Sequence, residues 1–84
     1  MLEKTVEITN PSGLHARLAA MFVETAGRFT SKIWIIKDDR RVNAKSIMGL
    51  MSLAIANGEP VMISAEGEDE ELAVKELIDL LTLY

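Results

Sequence analysis

The 84-residue sequence contains no cysteine, and it has only one histidine, two prolines and one tryptophan. The absence of cysteine excludes a disulfide framework, a thiolate metal site and a cysteine nucleophile. No apolar run is long enough to span a bilayer, and the N-terminus lacks a basic region followed by an apolar stretch. We therefore expect a cytoplasmic protein without membrane insertion. Acidic residues outnumber basic ones 13 to 9, and the net charge of −4 argues against direct binding to nucleic acid.

The composition is that of a folded domain. Hydrophobic residues make up 49% of the chain and charged residues 26%, which separates it from disordered sequences. The length suits one modest hydrophobic core, and no internal repeat or linker interrupts it. We expect residues 1–84 to form a single domain and the protein to be a monomer.

The most informative stretch surrounds the only histidine, His15. Pro11 disfavours helix at the residue before it, and Gly13 permits backbone angles that other residues avoid, so a loop ends here. Good helix formers follow from Ala16 onward, which places His15 at or beside a helix N-cap. Free amides in the first helical turn make that position suitable for an anion.

Arg17 strengthens the phosphate interpretation, because a planar guanidinium fits phosphate oxygens well. A nucleophilic imidazole nitrogen, free amides and an arginine together suit a transferable phosphoryl group. On residue chemistry alone, a structural role is more common than a phosphate site, since a lone histidine at a helix start is usually a cap or a surface residue. An exposed arginine in a first turn is likewise usually only solvated.

Alternating or β-branched patterns predict four strands, and helical spacing predicts three helices. The predicted strands are 2–9, 32–37, 41–44 and 59–67, and the predicted helices begin at Ala16, at Ile47 and within the acidic run 68–71. The order β-α-β-β-α-β-α favours an antiparallel sheet with helices on one side. On patterning alone, other ferredoxin-like α+β arrangements remain open.

Several local features carry their own predictions. Gly27 is expected at the C′ position of the first helix, and the run 38–41 at a solvated hairpin tip. The acids 68–71 are interpreted as helix-starting charges and not as a metal site. Leu72 is expected on the apolar face of the last helix, and Trp34 is expected to pack among strand side chains, although a ligand-stacking role stays open.

A second informative stretch begins at Ser46, which is a favoured N-cap residue. The five apolar residues after it circle most of a helix surface, so some of them must be exposed; they are Ile47, Met48, Leu50, Met51 and Leu53. Capping and packing alone explain this pattern. Exposed methionines would also suit a surface that contacts several partners.

Two motifs in the chain resemble those of one protein family. Gly13-Leu14-His15-Ala16-Arg17, followed by Ala19-Ala20, closely resembles the active-site signature of HPr, the histidine-containing phosphocarrier of the bacterial sugar phosphotransferase system. The stretch from Lys45 to Leu53 resembles the regulatory-serine helix of HPr from Gram-positive-type bacteria. Their separation also fits, so the resemblance covers essentially the whole chain. It implies an α+β fold, the open-faced β-sandwich with a four-stranded antiparallel sheet and three helices on one face.

The resemblance implies that His15 accepts a phosphoryl group at Nδ1 from enzyme I and passes it to EIIA domains of sugar permeases. Arg17 and the amides of Ala16 and Arg17 would hold the phosphoryl oxygens. Such a protein is a substrate of phosphotransfer and not an enzyme, and the resemblance implies no cofactor and no metal. One residue departs from the pattern, because Leu18 stands where the family usually has proline. We expect the fold to tolerate this and partner affinity or rate to differ.

The resemblance further implies that Ser46 is the target of an HPr kinase/phosphorylase. A phosphate there would act on partners, including a catabolite-control transcription factor, and Ile47, Met48 and Met51 would form a docking patch. Two alternatives remain. The chain could be a regulatory relative that acts mainly through the Ser46 helix, or a small enzyme with His15 as general base. Against the enzyme, the sequence shows no acidic partner, metal cluster or cofactor loop that would complete a catalytic site with His15.

Overall fold

The computed structural model describes residues 1–83, and within them the chain forms four strands and three helices in the predicted order. The strands are β1 (Leu2–Glu7), β2 (Lys32–Lys37), β3 (Arg40–Asn43) and β4 (Pro60–Glu66). The helices are α1 (Ala16–Ala26), α2 (Ile47–Ser52) and α3 (Glu70–Leu83). The predicted β-α-β-β-α-β-α order is therefore confirmed.

The four strands form one antiparallel sheet with the order β1-β4-β2-β3. Strand β4 lies between β1 and β2, with Val61 opposite Val6 on one side and Ile63 opposite Ile35 on the other. The helices pack on one face of this sheet and leave the other face open. The predicted open-faced β-sandwich is confirmed.

The core lies between the sheet and the helices. Because side chains alternate across a strand, every second residue of β2 and β4 points toward the helices. Phe22 of α1 and Leu77 of α3 are fully buried against these strand residues, which are Ile33, Ile35, Val61, Ile63 and Ala65. This layer of apolar contacts holds α1 and α3 against the sheet.

Trp34 lies on the open face of the sheet and is half-buried. The guanidinium of Arg41, on the neighbouring strand, sits 4.1 Å from the centroid of its ring. Arginine stacked on an aromatic face is a common stabilising contact. This contact with a strand neighbour agrees with the packing interpretation of Trp34.

The hairpin between β2 and β3 is tighter than expected. The turn consists of Asp38 and Asp39 alone, because Arg40 already pairs with Lys37 as the first residue of β3. Arg40 is also not merely solvated, since its guanidinium donates to the backbone oxygen of Ser52 at 2.8 Å and to its hydroxyl at 3.2 Å. Residues 38–41 are all exposed, so the expectation of a solvated tip is confirmed, and Arg40 makes an additional surface contact with α2.

Two expectations about the helices were wrong, one about the end of α1 and one about the buried face of α3. Gly27 follows α1 with φ −66°, which is right-handed, so it is a C-cap residue and its left-handed freedom is not used. Leu72 is 54% exposed, because the buried stripe of α3 runs along other positions, which are Ala73, Val74, Leu77 and Leu81. The spacing of apolar residues in the sequence did not distinguish the buried face of α3 from its exposed face.

The acidic run is divided between two roles. Helix α3 begins at Glu70, so only Glu70 and Glu71 lie in its first turn. Asp69, just before it, instead accepts hydrogen bonds from the amides of Thr30 and Ser31 at 2.9 and 3.0 Å, and from both of their hydroxyls. Asp69 therefore ties the start of α3 to the segment that enters β2.

This arrangement lowers the pKa of Asp69 from 3.8 to about 2, chiefly through the hydrogen bond from the Ser31 hydroxyl and then through the Thr30 amide. A carboxyl group whose pKa falls on folding stabilises the folded state only while it is ionised. The contribution is therefore present above about pH 3.8 and is lost as the pH falls toward 2.

We predict that Asp69→Asn lowers the urea midpoint of unfolding at pH 7, because a neutral amide accepts these four hydrogen bonds less well. The difference between the variant and the original chain should shrink as the pH falls from about 4 to 2, where Asp69 itself becomes protonated. Glu68→Gln is the matched control, since Glu68 is exposed. A midpoint that falls equally in both variants would contradict the assigned role of Asp69.

Candidate functional site

His15 is the N-cap residue of α1, as predicted. Its backbone is extended, with φ −78° and ψ 172°, and its carbonyl oxygen accepts the first helical hydrogen bond, from the Ala19 amide at 2.8 Å. Its ring nitrogen Nδ1 accepts from the Leu18 amide at 3.3 Å. An amide donates only to a ring nitrogen without a proton, so Nδ1 turns its lone pair toward the first turn of α1.

The ring borders a shallow cavity of about 280 Å³ that the first turn of α1 partly encloses. Its walls are Asn10, His15, Arg17, Leu18 and Met21. The structure thus brings Arg17 and His15 to one cavity, as predicted. Arg17 is exposed, and its side chain makes no hydrogen bond or ion pair with any residue in the range 1–83. Its guanidinium is therefore free to meet an anion.

Ala16 is exposed and is the first residue of α1. The amides of Ala16 and Arg17 have no acceptor one helical turn earlier, because the helix begins there. The next amide, that of Leu18, already donates a hydrogen bond to the His15 ring. With respect to residues 1–83, the first turn therefore offers two free amides next to an imidazole and a guanidinium.

Sequence reasoning missed two residues that line the cavity. Met21 follows Arg17 by four positions, so helical spacing could have placed it on the same face. Asn10 closes the loop before the site, because its side-chain oxygen accepts from the Ser12 amide and its carbonyl oxygen from the Gly13 amide, both at 2.8 Å. Asparagine is a known signal for such a turn, because its side chain accepts from the backbone amide two residues later.

The loop before His15 is fixed against the segment that follows α2. The Leu14 amide donates to the Ile55 carbonyl oxygen at 2.9 Å. Gly13 has φ +65°, and a Cβ atom at this position would lie 2.5 Å from that same oxygen and 2.9 Å from Cα of Ala56. Glycine is required here both by its backbone conformation and by the close approach.

Two charged residues hold that supporting segment in place. The Lys37 ammonium donates to the carbonyl oxygens of Leu53 and Ala54 at 3.1 and 3.3 Å and forms an ion pair with Glu59 at 3.0 Å. The Glu59 carboxylate also accepts from the Ala56 amide at 2.7 Å. These contacts lower the pKa of Glu59, first through the Ala56 amide and then through Lys37. No local pattern pointed to this pair, because 22 positions separate its members.

The second predicted site residue, Ser46, is the N-cap of α2. Its hydroxyl oxygen accepts from the Gly49 amide at 3.2 Å. Helix α2 packs against α1 and buries Leu50 completely. The apolar residues on its other side stay exposed, by 42% for Ile47, 82% for Met48 and 43% for Met51. The prediction that α2 cannot bury all of its apolar residues is confirmed.

Other kinds of site are not apparent in the described chain. Within residues 1–83, no group of three or more histidine, aspartate or glutamate side chains is arranged to hold a metal ion. The helices in this range are also too short or too polar to cross a membrane. The histidine cavity and the exposed side of α2 carry the residues that the two sequence motifs single out.

Comparison with known proteins gives a consistent result. Residues 2–82 match the family model PTS-HPr, described as the PTS HPr component phosphorylation site. The HPr-like protein Crh of Halalkalibacterium halodurans is 56% identical over 78 residues, which cover 93% of each chain. Phosphocarrier protein HPr of Neisseria meningitidis serogroup A is 48% identical over 84 residues, which cover 100% of this chain and 94% of the relative.

A solved structure agrees with these sequence relatives. The crystal structure of HPr-C-His from Thermoanaerobacter tengcongensis has a TM-score of 0.94 and is 58% identical, covering 98% of this chain and 92% of that one. A crystal structure of an HPr dimer from the same organism has a TM-score of 0.79, covering 99% and 95% of the two chains. The similarity therefore extends over the whole fold and includes the loop and helices that form the cavity.

The close approach at Gly13 leads to a prediction about the histidine loop. Gly13→Ala should reduce the free energy of unfolding by about 2 to 4 kcal/mol, because it combines positive-φ strain with a clash against backbone atoms. Gly58→Ala is the matched control, since Gly58 also has a positive φ of +88° but a Cβ atom there would meet nothing within 4 Å. Urea unfolding of both variants measures the difference, and equal losses would show that the contact with Ile55 is unimportant.

Proposed function

Because the chain belongs to the HPr family, we propose that it is a phosphoryl carrier of the sugar phosphotransferase system. His15 accepts a phosphoryl group from phosphorylated enzyme I and passes it to EIIA domains of sugar permeases. The observation that carries the proposal is the position of His15, whose Nδ1 faces the first turn of α1 beside an unpaired Arg17. The carrier is a substrate of both transfers and not itself an enzyme.

The chemistry of the cavity supports this role. A phosphoryl group on Nδ1 brings negatively charged oxygens to the N-terminus of α1, where the free amides of Ala16 and Arg17 and the helix dipole favour an anion. The Arg17 guanidinium adds a charge-assisted hydrogen bond to those oxygens. The cavity is shallow and His15 is only half-buried, so a large protein partner can reach the ring.

The exposed side of α2 supports a docking role beside this site. Ile47, Met48 and Met51 form an apolar surface on a helix that packs against α1. Methionine adapts its shape easily, which suits a carrier that must bind enzyme I and several EIIA domains in turn. We propose that these three residues contact both kinds of partner.

A regulatory role through Ser46 is the second candidate. The similarity to HPr-like protein Crh favours it, as does the position of Ser46 directly beside the exposed apolar side chains. Phosphorylation by an HPr kinase/phosphorylase would place negative charge next to the proposed docking surface, repelling acidic partners and attracting a catabolite-control transcription factor that offers arginines. We prefer the carrier role, because the position of His15 and Arg17 at one cavity supports phosphoryl transfer more directly. We propose a cytoplasmic monomer.

The carrier proposal predicts a labelled histidine. After incubation with enzyme I and labelled phosphoenolpyruvate, the protein should carry label that is lost in acid and kept in alkali, and His15→Ala should carry none. Arg17→Ala should be labelled about 10 to 100 times more slowly, since it loses a charged hydrogen bond to the phosphoryl group. Full labelling of His15→Ala would overturn the carrier proposal. Label absent from the original chain as well would favour the regulatory role.

The docking proposal predicts a binding defect without loss of the fold. Met48→Glu should raise the KM of enzyme I for the carrier about tenfold, because a charge must then be buried in an apolar contact. Leu72→Glu is the matched control, since Leu72 is 54% exposed but lies on α3. Equal KM values for the two variants would place the docking surface elsewhere.

A further inference from the structure

The structure gives Leu18 a contact with the site that its side chain does not suggest. The Leu18 amide is the donor to Nδ1 of His15, at 3.3 Å. The leucine side chain is 1% exposed and anchored in the core, so the amide cannot move away easily. Proline, which has no N–H group, could not make this hydrogen bond.

We propose that the Leu18 amide positions Nδ1 for phosphoryl transfer and then binds the phosphoryl group itself. Before transfer, the hydrogen bond keeps the proton of the neutral ring on Nε2 and leaves the Nδ1 lone pair pointing into the first turn. After transfer, that lone pair is part of the new bond, so the amide donates to a phosphoryl oxygen instead. This inference rests on the proposed carrier function and concerns a donor particular to chains with a residue other than proline here.

The transfer step balances without any further reactant. The Nδ1 lone pair forms a bond to phosphorus while the bond between phosphorus and the donor protein breaks, and the donor atom keeps that electron pair. The proton on Nε2 stays where it is. The Leu18 N–H stays intact throughout and only changes its acceptor, from nitrogen to oxygen.

The exchange of acceptor favours the phosphorylated form. At 3.3 Å the bond to a neutral ring nitrogen is long, whereas a bond to a phosphoryl oxygen is charge-assisted and stronger. Removing the donor should therefore shift the transfer equilibrium away from the phosphorylated carrier, by about fivefold to tenfold.

The position of Leu18 allows a clean variant. The first amide that bonds within α1 is that of Ala19, so the helix ladder does not use the Leu18 amide. Proline is tolerated in such a first turn. Leu18→Pro deletes the donor, and Leu18→Val is the matched variant, because valine is close to proline in size and keeps its N–H.

The test compares the equilibrium constant for transfer from phosphorylated enzyme I to Leu18→Pro and to Leu18→Val. We expect the constant for Leu18→Pro to be about fivefold to tenfold lower. Equal constants, with both variants labelled, would overturn the role of the Leu18 amide and leave the carrier function standing. Failure of the original chain to accept label would instead overturn the carrier function.

A measurement on the original chain keeps the inference testable if Leu18→Pro does not fold. The amide proton of Leu18 can be followed by ¹⁵N-resolved NMR before and after phosphorylation of His15. We expect it to shift downfield and to exchange with solvent more slowly, since its new acceptor carries charge. An amide proton that keeps its resonance and exchange rate would contradict the proposed change of acceptor.

Discussion

The hydrogen bond from the Leu14 amide to the Ile55 carbonyl oxygen is the contact on which the candidate site depends. It joins the loop before α1 to the segment after α2, and the missing side chain of Gly13 allows the two backbones to approach closely. His15 follows directly, so the direction in which α1 begins is set by this contact. The N-terminus of α1 and the C-terminal end of α2 are thereby fixed relative to each other.

The β2–β3 hairpin holds the C-terminal end of α2 in place. Lys37 and Arg40 donate to carbonyl oxygens at the end of α2, where the helix dipole favours positive charge. A helix of six residues is not stable by itself, so these contacts and the burial of Leu50 must hold it in place. With the helix anchored on one side, Met48 and its apolar neighbours can stay exposed.

The local parts of this picture could be predicted, because each depends on residues that are close in sequence. His15 and Ser46 were placed correctly at helix N-caps, and the alternation in β4 identified its buried face. Predictions were incomplete where a distant partner added to the role of a residue. Asp69 stands at the start of α3 as expected, but its side chain also binds Thr30 and Ser31, and the exposed Arg40 also binds Ser52.

The sequence by itself determined the order of elements, the two helix caps and the motifs that reveal the family. Period-two and helical spacing, turn residues and capping residues all act within a few positions of one another. Only the tertiary structure decided which side chains support the site, such as the pair Lys37 and Glu59. It also decided the orientation of the His15 ring, whose Nδ1 faces the Leu18 amide. Ion pairs between distant segments leave no periodic trace, and the orientation of an imidazole ring is fixed only when the backbone around it is in place.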